Sequence, residues 1–245
     1  MLRKILALTI IVIILPPVYL RAGQGDEFVF AQLKFQGNWD PYPGAFEQMY
    51  YYLTNTTSIS MLPERRVVEL NDKDLFYSPF LVFTGKGSYP EFSSDELESL
   101  RRYVEGGGII FIDTCGCEAF EASVNRTLSG VFPEEDNGFS KIPDDSAVFR
   151  AFYLVDYVAG RKMNAPYLEG MERGGRIAVI KSKNDLVGIW PRDRLENWEH
   201  ELTPGRPDQR KEAVKLMLNI MIYSVSGTYK ADPVHTPHIE EKLGR

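Results

Sequence analysis

Cysteine is almost absent: the 245 residues contain two, Cys115 and Cys117, with one glycine between them. A structural zinc site takes four ligands at recognisable spacings, and no further ligands stand at such a spacing from this pair, so the sequence carries no zinc motif. A basic stripe is missing as well. The formal net charge is -6, and residues 1–22 hold Arg3, Lys4 and Arg21 but no acid, which leaves the rest of the chain more acidic still. Nucleic acid is therefore excluded as an expected partner, because neutralising phosphates requires clustered lysine and arginine. No apolar run reaches the roughly 20 residues of a comfortable membrane span. No internal repeat points to a solenoid or propeller array.

What the N-terminus does have is a basic start at Arg3 and Lys4, an apolar run from Ile5 to Leu15 and a break at Pro16 and Pro17. This is the layout of a secretory signal peptide, and it predicts residues 1–22 as a leader cleaved after Ala22. Leu20 stands where a small residue is preferred, so a retained short anchor, acting as a membrane tether, is the alternative. In either case the folded part is expected outside the cytoplasm, in the periplasm or cell envelope. With 44% hydrophobic and 25% charged residues, the remainder has ordinary globular composition and enough length for one core. A single domain is expected over residues 26–229, followed by a polar, loose tail over 230–245.

The most legible stretch runs from Asp74 to Cys117. Phe80 to Thr84 is a short apolar, β-favouring run. Ser93 with Glu96 three residues on is a capping box, and Leu97, Leu100, Tyr103 and Val104 recur at helical spacing. Gly106, Gly107 and Gly108 stop that helix. Ile109 to Ile112 is apolar on both faces, as a covered parallel strand is, and Asp113 closes it.

Either side of this unit the same alternation continues. Glu27 to Phe35 predicts a first strand, Gly44 to Leu53 a helix and Val67 to Leu70 a second strand. Beyond Cys117, the residues Phe120, Val124, Leu128 and Val131 mark a helix ending near Gly130. Ala147 to Val158 has no clear period and leaves strand and helix open. Arg176 to Ile180 predicts another strand, and Asn184 with Asp185 turns the chain away from it. Leu186 to Pro204 has loop-like sequence. Pro207 to Ser224 predicts a last helix that is apolar nearly all round, so Asn219 within it needs a buried partner. Repeated strand, helix and strand predict an α/β fold: a doubly wound, mostly parallel sheet with helices on both faces.

The order DLF, PF, TG, an SSDEL helix start, LRRYVEGGG, a strand ending in Asp, VFP, GRIAVIKSKNDL and NIMIYSVSG resembles the bacterial domain-of-unknown-function family 4159, over about Phe28 to Gly227. The resemblance implies a flavodoxin-like, class I glutamine-amidotransferase-like fold in exported or membrane-linked proteins, with no established activity. This chain departs from the family pattern in three places. Thr84, Gly85, Lys86 and Gly87 replace a TGHG pattern, and Ser146, Ala147, Val148 and Phe149 replace HPxF. Thr114 and Cys115 stand where the family often has Asp and Asn. Histidines that would serve as bases are thereby lost.

In a flavodoxin-like strand order, ligands sit at the carboxyl ends of the strands. That brings Asn38, Trp39 and Asp40 after the first strand beside Gly85, Lys86 and Gly87 after the third, and Asp113, Thr114 and Cys115 after the fourth. These nine residues are the candidate ligand-binding set, with Lys86 expected to pair with a carboxylate of Asp40 or Asp113. Glycines around Lys86 suit either anion approach or a tight turn. Trp39 suits either stacking or covering the sheet edge, and Asp113 either ligand orientation or loop capping. Asn184 and Asp185 either extend the rim or simply make a turn.

Cys115 is the weak candidate for a catalytic nucleophile, with His238 and Glu240 as distant partners. Its neighbours Asp113 and Cys117 are not the small residues of a nucleophile elbow. Cys115 and Cys117 as a redox pair would form a strained bridge. Metal ligation and cofactors are not expected. The leading expectation is an exported, non-catalytic domain that binds an envelope protein or small ligand at the strand ends. A hydrolase or amidotransferase-like enzyme using Cys115, and a thiol redox protein using both cysteines, are the alternatives. N-terminal sequencing of the exported protein is expected to start near Gly23, and an intact Met1 would contradict the leader.

Overall fold

The computed structural model describes residues 27–133 and 138–226. The expected leader (1–22), the expected tail (230–245) and the residues His238 and Glu240 lie outside the described residues. In chain order the elements are β1 (Phe30–Leu33), α1 (Ala45–Thr56), β2 (Arg66–Val68), β3 (Phe80–Thr84), α2 (Ser94–Glu105), β4 (Ile109–Asp113), α3 (Glu118–Val131), β5 (Ser140–Lys141), β6 (Glu169–Arg173), β7 (Arg176–Ser182) and α4 (Gln209–Ser226). They build one sheet of seven strands in the order β2-β1-β3-β4-β7-β6-β5. From β2 to β7 every pairing is parallel, and β6 and β5 add antiparallel strands at one edge. With β7 as the fifth parallel strand this is the 2-1-3-4-5 order of flavodoxin-like folds.

Alternation along the central strands divides the core in two. Phe30, Phe80, Val82, Ile109 and Phe111 pack against α1 through Phe46, Met49 and Leu53, and against α4 through Leu216, Met217 and Ile220. Leu33, Leu81, Phe83, Ile110 and Ile112 face α2 and α3, meeting Leu100, Val104, Phe120, Val124 and Leu128. A strand apolar on both faces is thus covered on both. The Ser93 hydroxyl accepts from Glu96 N while Glu96 Oε2 accepts from Ser93 N at 2.7 Å, completing the expected capping box. At the other end of α2, Gly107 adopts φ 107°, a conformation a side chain would strain.

Two stretches differ from the sequence-based expectation. Glu169–Arg173, sequence EGMER, forms β6 as half of a hairpin, with Gly174 at φ 59° and Gly175 at φ 74° making the turn into β7. Ala147 to Val158 is neither strand nor long helix: one 3-10 turn at Ala147–Phe149 precedes irregular chain.

That irregular chain is held by α4. Gln209, Glu212, Asn219 and Tyr223 share one helical face and are all buried. Gln209 Nε2 donates to the carbonyls of Gly160 (2.8 Å), Arg161 (3.2 Å) and Thr203 (3.1 Å), and its Oε1 accepts from the amides of Gly205 and Arg206. Glu212 accepts from Asp156 N at 3.0 Å, and the Tyr223 hydroxyl accepts from Ile177 N at 3.0 Å. Asn219 Oδ1 accepts from Phe152 N (3.1 Å) and Tyr153 N (2.8 Å), while Nδ2 donates to Tyr153 O at 2.8 Å. Asn219→Leu strands these backbone groups, and the expected loss is roughly 1 to 3 kcal/mol. Urea denaturation reads it directly; an unchanged midpoint would mean that the three bonds contribute nothing.

Candidate functional site

Parallel strands end together, so the chain segments after β1, β3, β4 and β7 gather at one end of the sheet. The register sets Thr84 beside Asp113 and Asp113 beside Ser182. Lys86 N donates to Asn38 O at 2.9 Å, joining the first two segments. Gly85 lies beneath this junction, where a Cβ would come within 2.7 Å of the Phe120 ring and 2.8 Å of the Asn38 carbonyl. No side chain fits there.

The centre of the site is buried and acidic. One carboxylate oxygen each from Asp113 and Asp185 and the sulfur of Cys115 lie within 4.8 Å of one another, and the three residues are 0%, 0% and 3% exposed. Asp113 Oδ2 accepts from Val187 N at 2.6 Å and Oδ1 from Cys115 N at 3.4 Å. Asp185 Oδ2 accepts from the Tyr42 hydroxyl at 2.9 Å and from Arg161 Nε at 2.5 Å, whereas its Oδ1 has no hydrogen-bond partner. Burial, and then the charge of Asp185, push the Asp113 carboxyl up to about 8 against the amides that favour its ionised form. Burial also raises the Tyr42 hydroxyl, helped by the Asp185 charge.

Cys115 makes the sharp turn between β4 and α3. Its φ is 54° and that of Gly116 is 65°, so the strand-to-helix corner has the left-handed backbone of a nucleophile elbow even without small flanking residues. The thiol, however, points inward, 3.4 Å from Thr84 Oγ1 and 3.6 Å from the Asp113 carbonyl. Burial, then Asp113 and Asp185, raise it well above the ordinary thiol range. Cys117 is its opposite. It caps α3, is partly exposed and accepts from Gly87 N at 3.3 Å. Burial is the largest single influence and raises this thiol, but the amides of Gly87, Phe120 and Ala119, with Lys162, together outweigh it and lower the thiol overall. The two cysteines are free thiols with separate partners.

The remaining expected residues divide between site and scaffold. Asp40 does not pair with Lys86: its carboxylate takes both Arg65 guanidinium nitrogens, at 2.9 and 2.8 Å, beside Gln32. Lys86 instead places its ammonium 4.4 Å from the centre of the Tyr42 ring. The expected carboxylate pairing of Lys86 is therefore replaced, because Arg65 reaches Asp40 with two donors and Asp113 is fully buried on the amides of Val187 and Cys115. Trp39 is partly buried, packing on the core beneath Arg65. Thr114 is buried and binds the Ser182 carbonyl through its amide at 2.9 Å. Asn184 bonds both backbone groups of Ala165, so it shapes the loop. Asp185 enters the centre of the site, as its position after β7 allowed. Tyr42 and Arg161 had no signal in the sequence beyond being polar residues in loops. His200, the one histidine among the described residues, packs edge-on against Tyr42 at 5.2 Å.

A five-stranded parallel order with a polar strand-end cluster defines a flavodoxin-like α/β domain. Over residues 29–225 the chain matches the family described as a domain of unknown function, DUF4159, and it belongs to that family. No curated protein matches the chain.

The two thiols are expected to react very differently. In native protein, iodoacetamide should alkylate Cys117 on the order of tenfold or more faster than Cys115, since attack needs an accessible thiolate. Peptide mapping by mass spectrometry separates the sites, and equal rates would contradict the inward orientation of Cys115.

Proposed function

We propose that this protein is an exported cell-envelope domain, amidotransferase-like in fold but non-catalytic, that binds a protein partner or small ligand at the carboxyl ends of its parallel strands. The observation that carries this reading is the sequestration of the elbow thiol. Cys115 is 3% exposed, its thiol is raised well above the ordinary range by burial and then by Asp113 and Asp185, and it turns inward onto Thr84 and a backbone carbonyl, away from any substrate at the rim. Around it the exposed Asn38, Lys86 and Gly87 and the partly exposed Trp39 and Lys162 offer a rim of donors and one aromatic face. The early basic residues and apolar run of the sequence support export.

A photo-cross-linking amino acid tests the reading when placed at position 86 on the rim and, as a control, at position 98 on the outer face of α2. In cells making the full chain, position 86 is expected to give a discrete adduct that position 98 does not. The adduct should persist when Cys115→Ser is added. Equal adducts from both positions, or none from position 86, would refute binding at this rim, and loss of the adduct with Cys115→Ser would favour covalent chemistry.

A further inference from the structure

We infer that Asp113, Cys115 and Asp185 form a binding site for one thiophilic divalent cation, zinc being the best fit. This deepens the reading above by naming a ligand for the floor of the same site, yet it does not depend on a partner at the rim.

The arrangement answers the sequence-level objection to zinc, which was that the cysteine pair lacked further ligands at a recognisable spacing. The fold supplies them from elsewhere: Asp113 at the end of β4 and Asp185 beyond the end of the neighbouring β7. Ligand atoms no more than 4.8 Å apart surround a point that a cation reaches with small inward rotations, since zinc takes oxygen at about 2.0–2.2 Å and sulfur at about 2.3 Å. Calcium and magnesium prefer all-oxygen shells, so the sulfur selects against them.

An acidic cluster alone would not suffice, and a second observation points to a ligand. Asp185 is 0% exposed, and its Oδ2 is occupied by Tyr42 and Arg161 while Oδ1 has no hydrogen bond of ordinary geometry; the Cys115 thiol is the other group that interacts with this carboxylate. A buried carboxylate oxygen without a partner is costly. Gly188 packs closely beside it: a Cβ there would lie 2.6 Å from Oδ1 and 2.9 Å from the Tyr42 ring, so no side chain can sit against that oxygen. Charge also closes. Two carboxylates and a thiolate carry three negative charges, and one dication with the Arg161 guanidinium carries three positive ones. Lys86 and Lys162 lie further out, over the Tyr42 ring and on the Cys115 carbonyl. Binding exchanges protons for metal: the Cys115 thiol gives its proton to solvent, as does Asp113 where it is protonated, and the cation takes their place. Three protein ligands leave the fourth tetrahedral position for a water or a ligand atom.

The test uses the full mature chain, stripped with a chelator and titrated with zinc chloride alone. Calorimetry is expected to give about one equivalent bound per chain, with a higher melting temperature in the loaded protein. Cys115→Ser and Asp185→Asn should each weaken binding at least about tenfold. Cys117→Ser and the His235→Ala, His238→Ala double variant should leave it unchanged. Cobalt substitution guards against variants that misfold: wild type and Cys117→Ser should both show a sulfur-to-cobalt charge-transfer band. Absence of that band, no binding by wild type at micromolar zinc, or binding abolished by Cys117→Ser or the histidine variant would overturn the assignment. Because metal uptake is read on the isolated chain, it can fail while the rim cross-link stands, and the reverse.

Discussion

Hydrogen bonds from one buried face of α4 to loop backbone are the constraint on which the site depends. Residues 150–165 have no ladder of their own, and a buried peptide group without a partner costs about 1 to 3 kcal/mol. Gln209, Glu212 and Asn219 supply those partners in sequence along the helix, meeting Gly160 and Arg161, then Asp156, then Phe152 and Tyr153. The Arg161 amide also donates to the Asp185 carbonyl at 3.1 Å, and its guanidinium meets the Asp185 carboxylate. Thr203 N also donates to the Arg161 carbonyl, so the same residue is held from two directions. The position of a charge at the sheet end is thereby set jointly by a helix on one face of the sheet and by the backbone that follows β7.

The electrostatics of the centre follow from that placement. Two acids side by side in a dry interior repel and lose hydration, and a single guanidinium offsets only part of this. The structure shares the load unevenly. Asp185 keeps the cation and the tyrosine, and Asp113 keeps backbone amides alone. Asp113 is accordingly the group driven toward neutrality. The left-handed backbone at both Cys115 and Asp185, at φ 54° and 57°, shows that two of the three converging residues are held in uncommon conformations.

The central strands were legible because each is apolar on both faces, and α2 because Ser93 and Glu96 announce its start. Strand β6 was not. In EGMER only Gly170 and Met171 are buried, so the hydrophobic signal is two residues long, although Gly174 and Gly175 between two short runs are the turn signature of a hairpin. The candidate site was legible where it follows strands: Asp113 and Cys115 were named as its members and Asp185 as an extension of its rim. Tyr42 and Arg161 reach it from 143 and 24 residues away from Asp185, and no local pattern encodes such contacts. The expected charge partner of Lys86 failed for the same reason, since Arg65 is tied to Asp40 only by the parallel pairing of β2 with β1.

Every residue type carries the same amide and carbonyl, and α4 reaches residues 152, 153, 160 and 161 through those groups. The loop can therefore change its side chains over evolutionary time without moving, provided its length is kept. Its shape is inherited through the helix. Divergence along residues 150–160 says little about whether a related chain keeps the acidic centre; substitution of Gln209 or Asn219 says much more.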